Sequence, residues 1–276
     1  MNNKVIITAA LTGAVTPKEI NPNIPLTPQE IADDAYACWK AGASVVHLHM
    51  RDENGIGTMN KDLFEETIKL IKEKKCDVVI NCTTSGDNRA SDEERMAHIK
   101  ALKPEMASFD AGSFNWMPGG VFMNSPQFLE KLGNAMLEGN VKPEFEIFDA
   151  GMLGIVEYYK KKGILKAPLH YQFVLGVLGA MPATVENLLY LVNKIPEGST
   201  WSAFGIGKGH LPILYTTLAL GGNVRVGLED NVYMSKGVPA TNVKLVERAV
   251  RAIKEIGKEV ATPAEAREIL GLKQLD

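Results

Sequence analysis

The sequence predicts an α/β fold, a (β/α)8 or TIM barrel, from three observations. Short β-branched runs alternate with longer helical patterns, and the alternation repeats eight times over about 250 residues, as in this barrel. The strand segments are nearly continuous apolar runs, which is typical of parallel strands covered by helices. No Gly/Ser-rich linker or change of composition divides the chain. We therefore expect residues 1–276 to form a single barrel domain, with an open doubly wound sheet as the main alternative.

The predicted strands are the short segments in which apolar and β-branched residues dominate. They cover residues 4–11, 44–50, 77–84, 106–112, 142–149, 169–176, 200–207 and 223–230.

The predicted helices follow these strands one by one. They cover residues 27–42, 61–75, 91–100, 126–139, 151–162, 184–194 and 211–220, and two more at 241–256 and 263–270 finish the chain. The first helix has the pattern of a capping box, with Thr27 as N-cap, Pro28 at the first helical position and Glu30 three residues after the cap. The last helices predict a C-terminal helical extension of the barrel.

Composition excludes several classes of partner. The net charge of −3 gives no basic surplus for nucleic acid, and no polybasic run indicates a membrane surface. No segment approaches the ~18 apolar residues of a membrane span. Residues 5–16 have some features of a signal peptide, but their threonines and the Pro/Lys/Glu-rich loop after them favour a buried strand. Three cysteines without CxxC spacing predict buried thiols and a cytoplasmic protein.

Two histidines, His47 and His49, lie one residue apart in the apolar second strand. Residues two apart on a strand point to the same face, here near the C-terminal end where barrel active sites lie. Each buried imidazole needs partners for both ring nitrogens, and a shared cation meets part of that need. Neutral imidazole suits Zn²⁺, which in catalytic sites has three protein ligands and an open position. The pair therefore predicts a zinc site, with two satisfied core histidines as the alternative.

A third ligand is expected at the end of another strand. Glu229 closes the eighth predicted strand, which neighbours the first, so its carboxylate can reach the histidine pair. A helix-capping role is the alternative for Glu229, as it is for Asp230. Arg225 lies four residues earlier and should share a face with Glu229. A buried arginine needs a carboxylate partner, and either acidic residue can supply one.

Further polar residues lie near the same strand ends and predict a polar ring around the metal. They are Asn81, Thr83, Ser108, Asp110, Glu144, Glu146 and Gln172.

The segment GIGKGH at 205–210 follows the seventh strand and opens a helix. Glycines before a helix N-terminus can hold a phosphate, and Lys208 adds positive charge, so this loop is a candidate for the phosphate of a coenzyme. A plain tight turn is the alternative. The dinucleotide pattern GxGxxG is incomplete.

With these residues assembled, the chain resembles the β-keto acid cleavage enzymes, and the resemblance runs essentially from end to end. Its most specific segments are TAALTGA (8–14), NPNIPLTPQEIA (21–32), AGASVVHLHMRD (41–52), LKPEMASFDAGSFNW (102–116), PLHYQFVLGVLG (168–179), GIGKGH (205–210), RVGLEDN (225–231) and KEVATPAEAREIL (258–270).

The resemblance implies a zinc-dependent TIM barrel, a homotetramer, and a reaction in which a β-keto acid and acetyl-CoA give acetoacetate and a new acyl-CoA. It implies that zinc is held by His47, His49 and Glu229. Arg225 and Asp230 match the pair that promotes proton abstraction.

The resemblance also assigns residues to the substrate and to the coenzyme. Thr83, Gly86 and Ser108 match substrate-binding positions, and Glu146 matches an active-site carboxylate. Under the same reaction, Lys208 would bind a CoA phosphate.

Val15 departs from the family's aminohexanoate enzyme, which has a glutamate there for the substrate ammonium. Valine cannot pair with a cation, and an unpaired buried ammonium costs several kcal/mol. We therefore expect a neutral or apolar β-keto acid rather than 3-keto-5-aminohexanoate.

Different classes of function remain open at the level of sequence. Metal-dependent hydrolases of the amidohydrolase kind also use an HxH pair, but on strand 1 and with further histidines on strands 5 and 6. Here the pair is on strand 2, strand 5 has no histidine, and His170 is at the start of strand 6. A lyase or aldolase that does not use CoA is a second possible class, and a binding protein with a structural metal site is a third.

Overall fold

The protein, a computed structural model, is described over residues 3–272, where eight parallel strands close into a barrel. Val224 of the last strand lies opposite Ile7 of the first, which closes the sheet. The predicted TIM barrel is therefore confirmed. The barrel strands β1 to β8 are Ile7–Ala10, Val45–Leu48, Val79–Cys82, Met106–Asp110, Lys142–Ile147, His170–Leu175, Thr200–Gly205 and Asn223–Val226.

The helices pack around the barrel in the predicted order, each after its strand. Helices α1 to α9 are Pro28–Ala41, Lys61–Glu73, Asp92–Leu102, Pro126–Gly139, Gly151–Lys161, Val185–Val192, His210–Ala219, Asn242–Glu255 and Pro263–Leu270. The capping box predicted at Thr27 and Glu30 is present, and Ser91 and Glu94 form a second one at α3. These reciprocal bonds satisfy N–H groups that the first turn leaves without partners.

Two hydrophobic cores fill the fold, one on each side of the barrel wall. The larger core contains outward-facing strand residues such as Val46 and Leu48 together with the helices. The smaller core contains Val45, which alternates with Val46 and so faces inward, together with Leu270 of α9. Helix α9 therefore covers the N-terminal end of the barrel, and the site must lie at the other end.

Short paired segments add to the barrel in places where the sequence predicted loops or longer strands. Residues 4–5, predicted as part of β1, instead pair in parallel with 259–260. Antiparallel hairpins join 50–51 to 57–58, 114–116 to 120–122, and 233–235 to 238–239.

The cysteines Cys38, Cys76 and Cys82 are free and buried. Within residues 3–272, no helix has both the length and the apolar character that crossing a membrane requires.

The contact between α1 and α8 includes a poorly solvated carboxylate, and this predicts a pH-dependent stability. Asn242 donates its Nδ2–H to Asp34 Oδ2 at 2.5 Å, and burial raises the pKa of Asp34 to about 6 because this bond and a weak one from Cys38 Sγ at 4.0 Å only partly replace hydration. The charged form therefore destabilises the fold above pH 6, and the effect vanishes below the unfolded pKa of about 4. We expect Asp34→Asn to raise the free energy of unfolding by about 1–2 kcal/mol at pH 7.5 and not at pH 4.

Urea unfolding across this pH range checks the expectation. Asp33→Asn is the matched control, because Lys74 lowers the pKa of the exposed Asp33 and the substitution should not stabilise. A stabilisation by Asp34→Asn that is the same at pH 4 and pH 7.5 would contradict the ionisation argument.

Candidate active site

The predicted metal-binding residues meet at the C-terminal end of the barrel. His49 Nε2 lies 3.2 Å from Glu229 Oε1, and His47 Nε2 lies 3.8 Å from Glu229 Oε2. One ligand atom from each side chain lies within 4.8 Å of those of the other two. His47 belongs to β2, and His49 follows the last residue of that strand.

Glu229 reaches the histidines from a turn, and not from the strand as the sequence predicted. Strand β8 ends at Val226, and residues 227–230 turn across the end of β1. Gly227 has φ +149°, and a Cβ there would lie 2.0 Å from the carbonyl oxygen of Ala10. Gly13 on the facing segment is equally necessary, because its Cβ would lie 2.7 Å from Glu229 Cγ. Two glycines thus let Glu229 reach the end of β2.

The chemistry of this cluster fits a divalent metal. Glu229 Oε2 is buried without a hydrogen-bond partner and faces His47 Nε2 at 3.8 Å. Two ligand atoms about 2 Å from a tetrahedral Zn²⁺ lie roughly 3.3 Å apart. This value lies between the distances from the histidine nitrogens to Glu229, which are 3.2 Å for His49 and 3.8 Å for His47. Burial lowers the pKa of His47 to about 3, so its ring is neutral at pH 7 and retains a lone pair for a metal.

Arg225 lies beside the cluster and joins three carboxylates. Its Nη2 donates to Glu229 Oε1 at 2.7 Å, and its Nη1 donates to Glu146 Oε1 at 3.1 Å. Asp230 accepts two bonds, from Nε at 2.9 Å and from Nη2 at 3.0 Å. The guanidinium also stacks over Phe204, with its central carbon 4.6 Å from the ring centroid. The sequence left open whether Arg225 pairs with Glu229 or Asp230; in the structure it pairs with both.

The protonation of these carboxyls differs because their surroundings differ. Burial raises the pKa of Asp230 to about 6, even though Arg225 acts in the opposite direction. Burial also raises the pKa of Glu146 well above its usual value. For Glu229, burial is outweighed chiefly by the charge of Arg225, which holds the pKa far below its usual value. Glu229 is therefore the permanent anion, while Asp230 can exchange a proton near neutral pH.

A pocket of about 460 Å³ opens above these residues. Its base contains both histidines, Arg225 and the carboxylates, and one wall is apolar and aromatic. The apolar wall consists of Trp116, Phe122, Phe148, Val174, Val177, Phe204 and Ile206. An apolar cavity with a few converging polar groups is the usual form of a small-molecule site.

Three of the predicted substrate-binding residues line this pocket and one does not. Val15, Thr83 and Gly86 are on its surface. Ser108 is buried and lies on β4 two residues before the pocket-lining Asp110. Its Oγ accepts a hydrogen bond from the backbone N–H of Thr84 at 3.0 Å. In the described residues Ser108 therefore supports the turn below the pocket wall.

Lys208, predicted to bind CoA, is exposed in the 3-10 turn Gly207–Gly209 and does not itself line the pocket. Ile206 of the same loop does. The lysine thus lies outside the pocket, two residues along the chain from a residue of the pocket wall.

Some pocket residues were given no role from sequence. Asp110 lines the pocket and accepts a short hydrogen bond from Ser85 Oγ, which also accepts from Arg95 at 2.7 Å. Only the polar character of the strand end indicated Asp110. The aromatic residues Trp116 and Phe122 come from a hairpin in a segment that was predicted to be a loop.

A second polar layer lies below the pocket. Glu144 is fully buried; it accepts from Asn81 Nδ2 at 2.6 Å and lies 3.5 Å from His170 Nε2. His47, Glu144 and Glu146 form a second set whose ligand atoms lie within 4.8 Å of one another, and Glu144 Oε2 is buried without a hydrogen-bond partner. Of the acidic residues near His47, only Glu229 has a carboxylate oxygen beside both histidines.

Comparison with known proteins identifies the family. A family model for the beta-keto acid cleavage enzyme matches residues 4–272. The 3-keto-5-aminohexanoate cleavage enzyme of Fusobacterium nucleatum is 44% identical over 99% of this chain and 100% of its own length. The 3-dehydrocarnitine:acetyl-CoA trimethylamine transferase of Rhizobium meliloti is 35% identical over 99% and 98%.

The fold has a close counterpart among solved structures. The apo structure of ObcA superposes with a TM-score of 0.82 and 21% identity, over 91% of this chain and 66% of that chain. This likeness supports the fold, while the family model and the relatives of higher identity support the family. The chain therefore belongs to the beta-keto acid cleavage enzyme family.

Proposed function

We propose that the protein is a zinc-dependent enzyme that converts a β-keto acid and acetyl-CoA into acetoacetate and a new acyl-CoA. A bond forms between C2 of the keto acid and the acetyl carbonyl carbon, the C2–C3 bond of the keto acid breaks, and CoA moves to the former C3 carbonyl. Relatives whose names include acetyl-CoA support this reaction. One observation carries the proposal. At the base of one pocket, Arg225 bonds both Asp230 and Glu229, which is a member of the metal-binding triad.

The metal would be held by His47, His49 and Glu229. Bound there, zinc would act as a Lewis acid that polarises the keto group and so acidifies C2. Two imidazoles and one carboxylate give the three protein ligands of a catalytic zinc site.

Asp230 is the base in this proposal. It accepts the proton from C2 of the keto acid, and its raised pKa makes it a better base than an exposed aspartate. Arg225 fixes the carboxylate through two bonds, and Glu146 holds the same guanidinium from β5. Thr83 and Gly86, at the pocket wall, orient the substrate. The apolar wall lowers the local dielectric around these groups, which strengthens their charged contacts.

The pocket rim supports a neutral or apolar distal group on the substrate. Val15 is 71% exposed and lines the pocket without offering a charge. Asp87, near it on the rim, is already paired with Arg89 at 2.9 Å. The name of the relative from Fusobacterium nucleatum favours the amino substrate instead, and Asp110, held only by Ser85, is the carboxylate that could then receive its ammonium.

Further features of the proposal follow from the resemblance and not from the geometry. We propose a homotetramer in the cytoplasm, with Lys208 beside the pocket mouth binding a phosphate of CoA.

The metal is tested by His49→Ala. Loss of one of three ligands should abolish stoichiometric zinc binding and lower acetyl-CoA-dependent acyl-CoA formation by at least about 100-fold. Zinc content after chelator dialysis and a coupled CoA assay check both, with circular dichroism confirming the fold. Wild-type turnover in the metal-free variant would refute the zinc proposal, and turnover that needs zinc but no acetyl-CoA would favour a hydrolase or lyase.

Substrate choice is tested by Val15→Glu. A carboxylate at the rim can pair with an ammonium, so kcat/KM for 3-keto-5-aminohexanoate relative to an uncharged β-keto acid of similar length should rise about tenfold. Ile20→Glu is the matched control, since Ile20 is exposed and does not line the pocket. A wild-type enzyme that already prefers the amino substrate would show that our interpretation of Val15 is wrong.

Coenzyme binding is tested by Lys208→Ala. An exposed lysine–phosphate contact is weak, so KM for acetyl-CoA should rise only about three- to fivefold, and less at high salt, with kcat and the KM for the keto acid unchanged. Lys166→Ala, an exposed lysine preceding β6 at the other end of the barrel, is the control. Equal acetyl-CoA kinetics in both variants would remove Lys208 from the CoA site.

A further inference from the structure

Arg51 follows the histidine pair and has an unusual set of partners. It is 4% exposed, yet within the described part of the chain its guanidinium has no carboxylate at ion-pair distance. Its acceptors are three backbone carbonyls: Nε donates to Gly13, Nη1 to Gly55 at 2.7 Å and Nη2 to Thr16 at 2.9 Å. The negative charges that favour the guanidinium, on Glu229 and Asp52, act on it without a direct contact, so the three carbonyls are its direct partners.

The carbonyls that Arg51 binds belong to two segments of the pocket rim. Residues 13–16 follow β1 and include Val15, and all four line the pocket. Gly55 belongs to the turn of the 50–58 hairpin, which contributes Ile56 and Gly57 to the pocket.

The 13–16 segment also packs on the metal-binding triad. The Cα of Gly13 approaches so closely that a Cβ on it would lie 2.7 Å from Glu229 Cγ. On the other side, a Cβ on Gly57 would lie 2.8 Å from Ala14 Cβ and 2.3 Å from the carbonyl oxygen of Gly86. The segment is thus enclosed between Glu229 and two other loops, and Arg51 is the side chain that bonds it at both ends.

We propose that Arg51 is a positioning residue that fixes the 13–16 segment, and that it thereby sets both the placement of Glu229 as a metal ligand and the distance of Val15 from the substrate. The second part rests on the proposed function; the first does not. Lysine cannot replace Arg51, because one ammonium cannot reach three carbonyls that a planar guanidinium reaches with separate N–H groups.

Three readouts of Arg51→Lys test this role, with Arg267→Lys as the matched control. Arg267 is a similarly buried arginine, but it bonds Glu105 and Asp77 at the N-terminal end of the barrel. We expect Arg51→Lys to speed amide hydrogen exchange in residues 11–17 and to weaken zinc binding, measured by chelator competition, by about tenfold. Its selectivity, the ratio of kcat/KM for β-keto acids with long and short apolar distal groups, should fall severalfold.

The control should lower thermal stability but leave all three readouts unchanged. If Arg51→Lys does the same, Arg51 is only structural and the proposal is overturned. If the wild type shows no acetyl-CoA-dependent turnover, the proposed function fails, while hydrogen exchange and zinc affinity still decide the role of Arg51.

Gly13→Ala provides an independent variant if Arg51→Lys does not fold. It leaves Arg51 intact but forces the segment away from Glu229, so zinc affinity and selectivity should fall as they do in Arg51→Lys. Wild-type zinc affinity in Gly13→Ala would show that the segment does not position Glu229, and this would overturn the proposal.

Discussion

The site depends on one buried cation, Arg225, and its bonds to Glu146, Glu229 and Asp230. Burial favours the neutral form of Glu146, yet Glu229 and an ionised Asp230 together still carry one more charge than the guanidinium. That excess lies beside the rings of His47 and His49, and a divalent cation there would balance it. The same bonds that keep Arg225 buried therefore prepare a metal site on one side and a positioned carboxylate on the other.

The layers of the barrel interior explain why this charge can exist at one end only. Inward-facing Val45 and Val79 form an apolar plug with α9 at the N-terminal end. Above it, Glu144 accepts a hydrogen bond from Asn81 and lies 3.5 Å from His170, and these three residues form a polar layer. The charged groups come last, where the pocket admits solvent and substrate. Polarity therefore increases in steps towards the pocket, and no charge is left alone in the low-dielectric interior.

Periodicity predicted what is regular in this molecule. The eight strands, the helix order and the shared face of His47 and His49 follow from alternation and from the apolar pattern, because these set which side chains face inward. The turn that carries Glu229 could not be predicted, since it depends on Gly227 fitting against β1. The hairpin that brings Trp116 and Phe122 to the pocket was expected to be a loop; besides its internal pairing, its rings pack on Phe148, which follows β5 and is distant in sequence. Ser108 was assigned to the substrate by resemblance, whereas its hydroxyl bonds the backbone of Thr84.

The closure of the barrel between β8 and β1 links the metal site to the stability of the fold. The last strand meets the first with Arg225 opposite Thr8, and Glu229 donates its own backbone N–H to Ala10 of β1. A metal that binds His47, His49 and Glu229 would span this seam, because it would join the turn after β8 to the end of β2. Such an ion binds only the closed barrel, so it would shift the folding equilibrium towards closure. The metal of the proposed reaction would thus also stabilise the contact between the first and last parts of the chain.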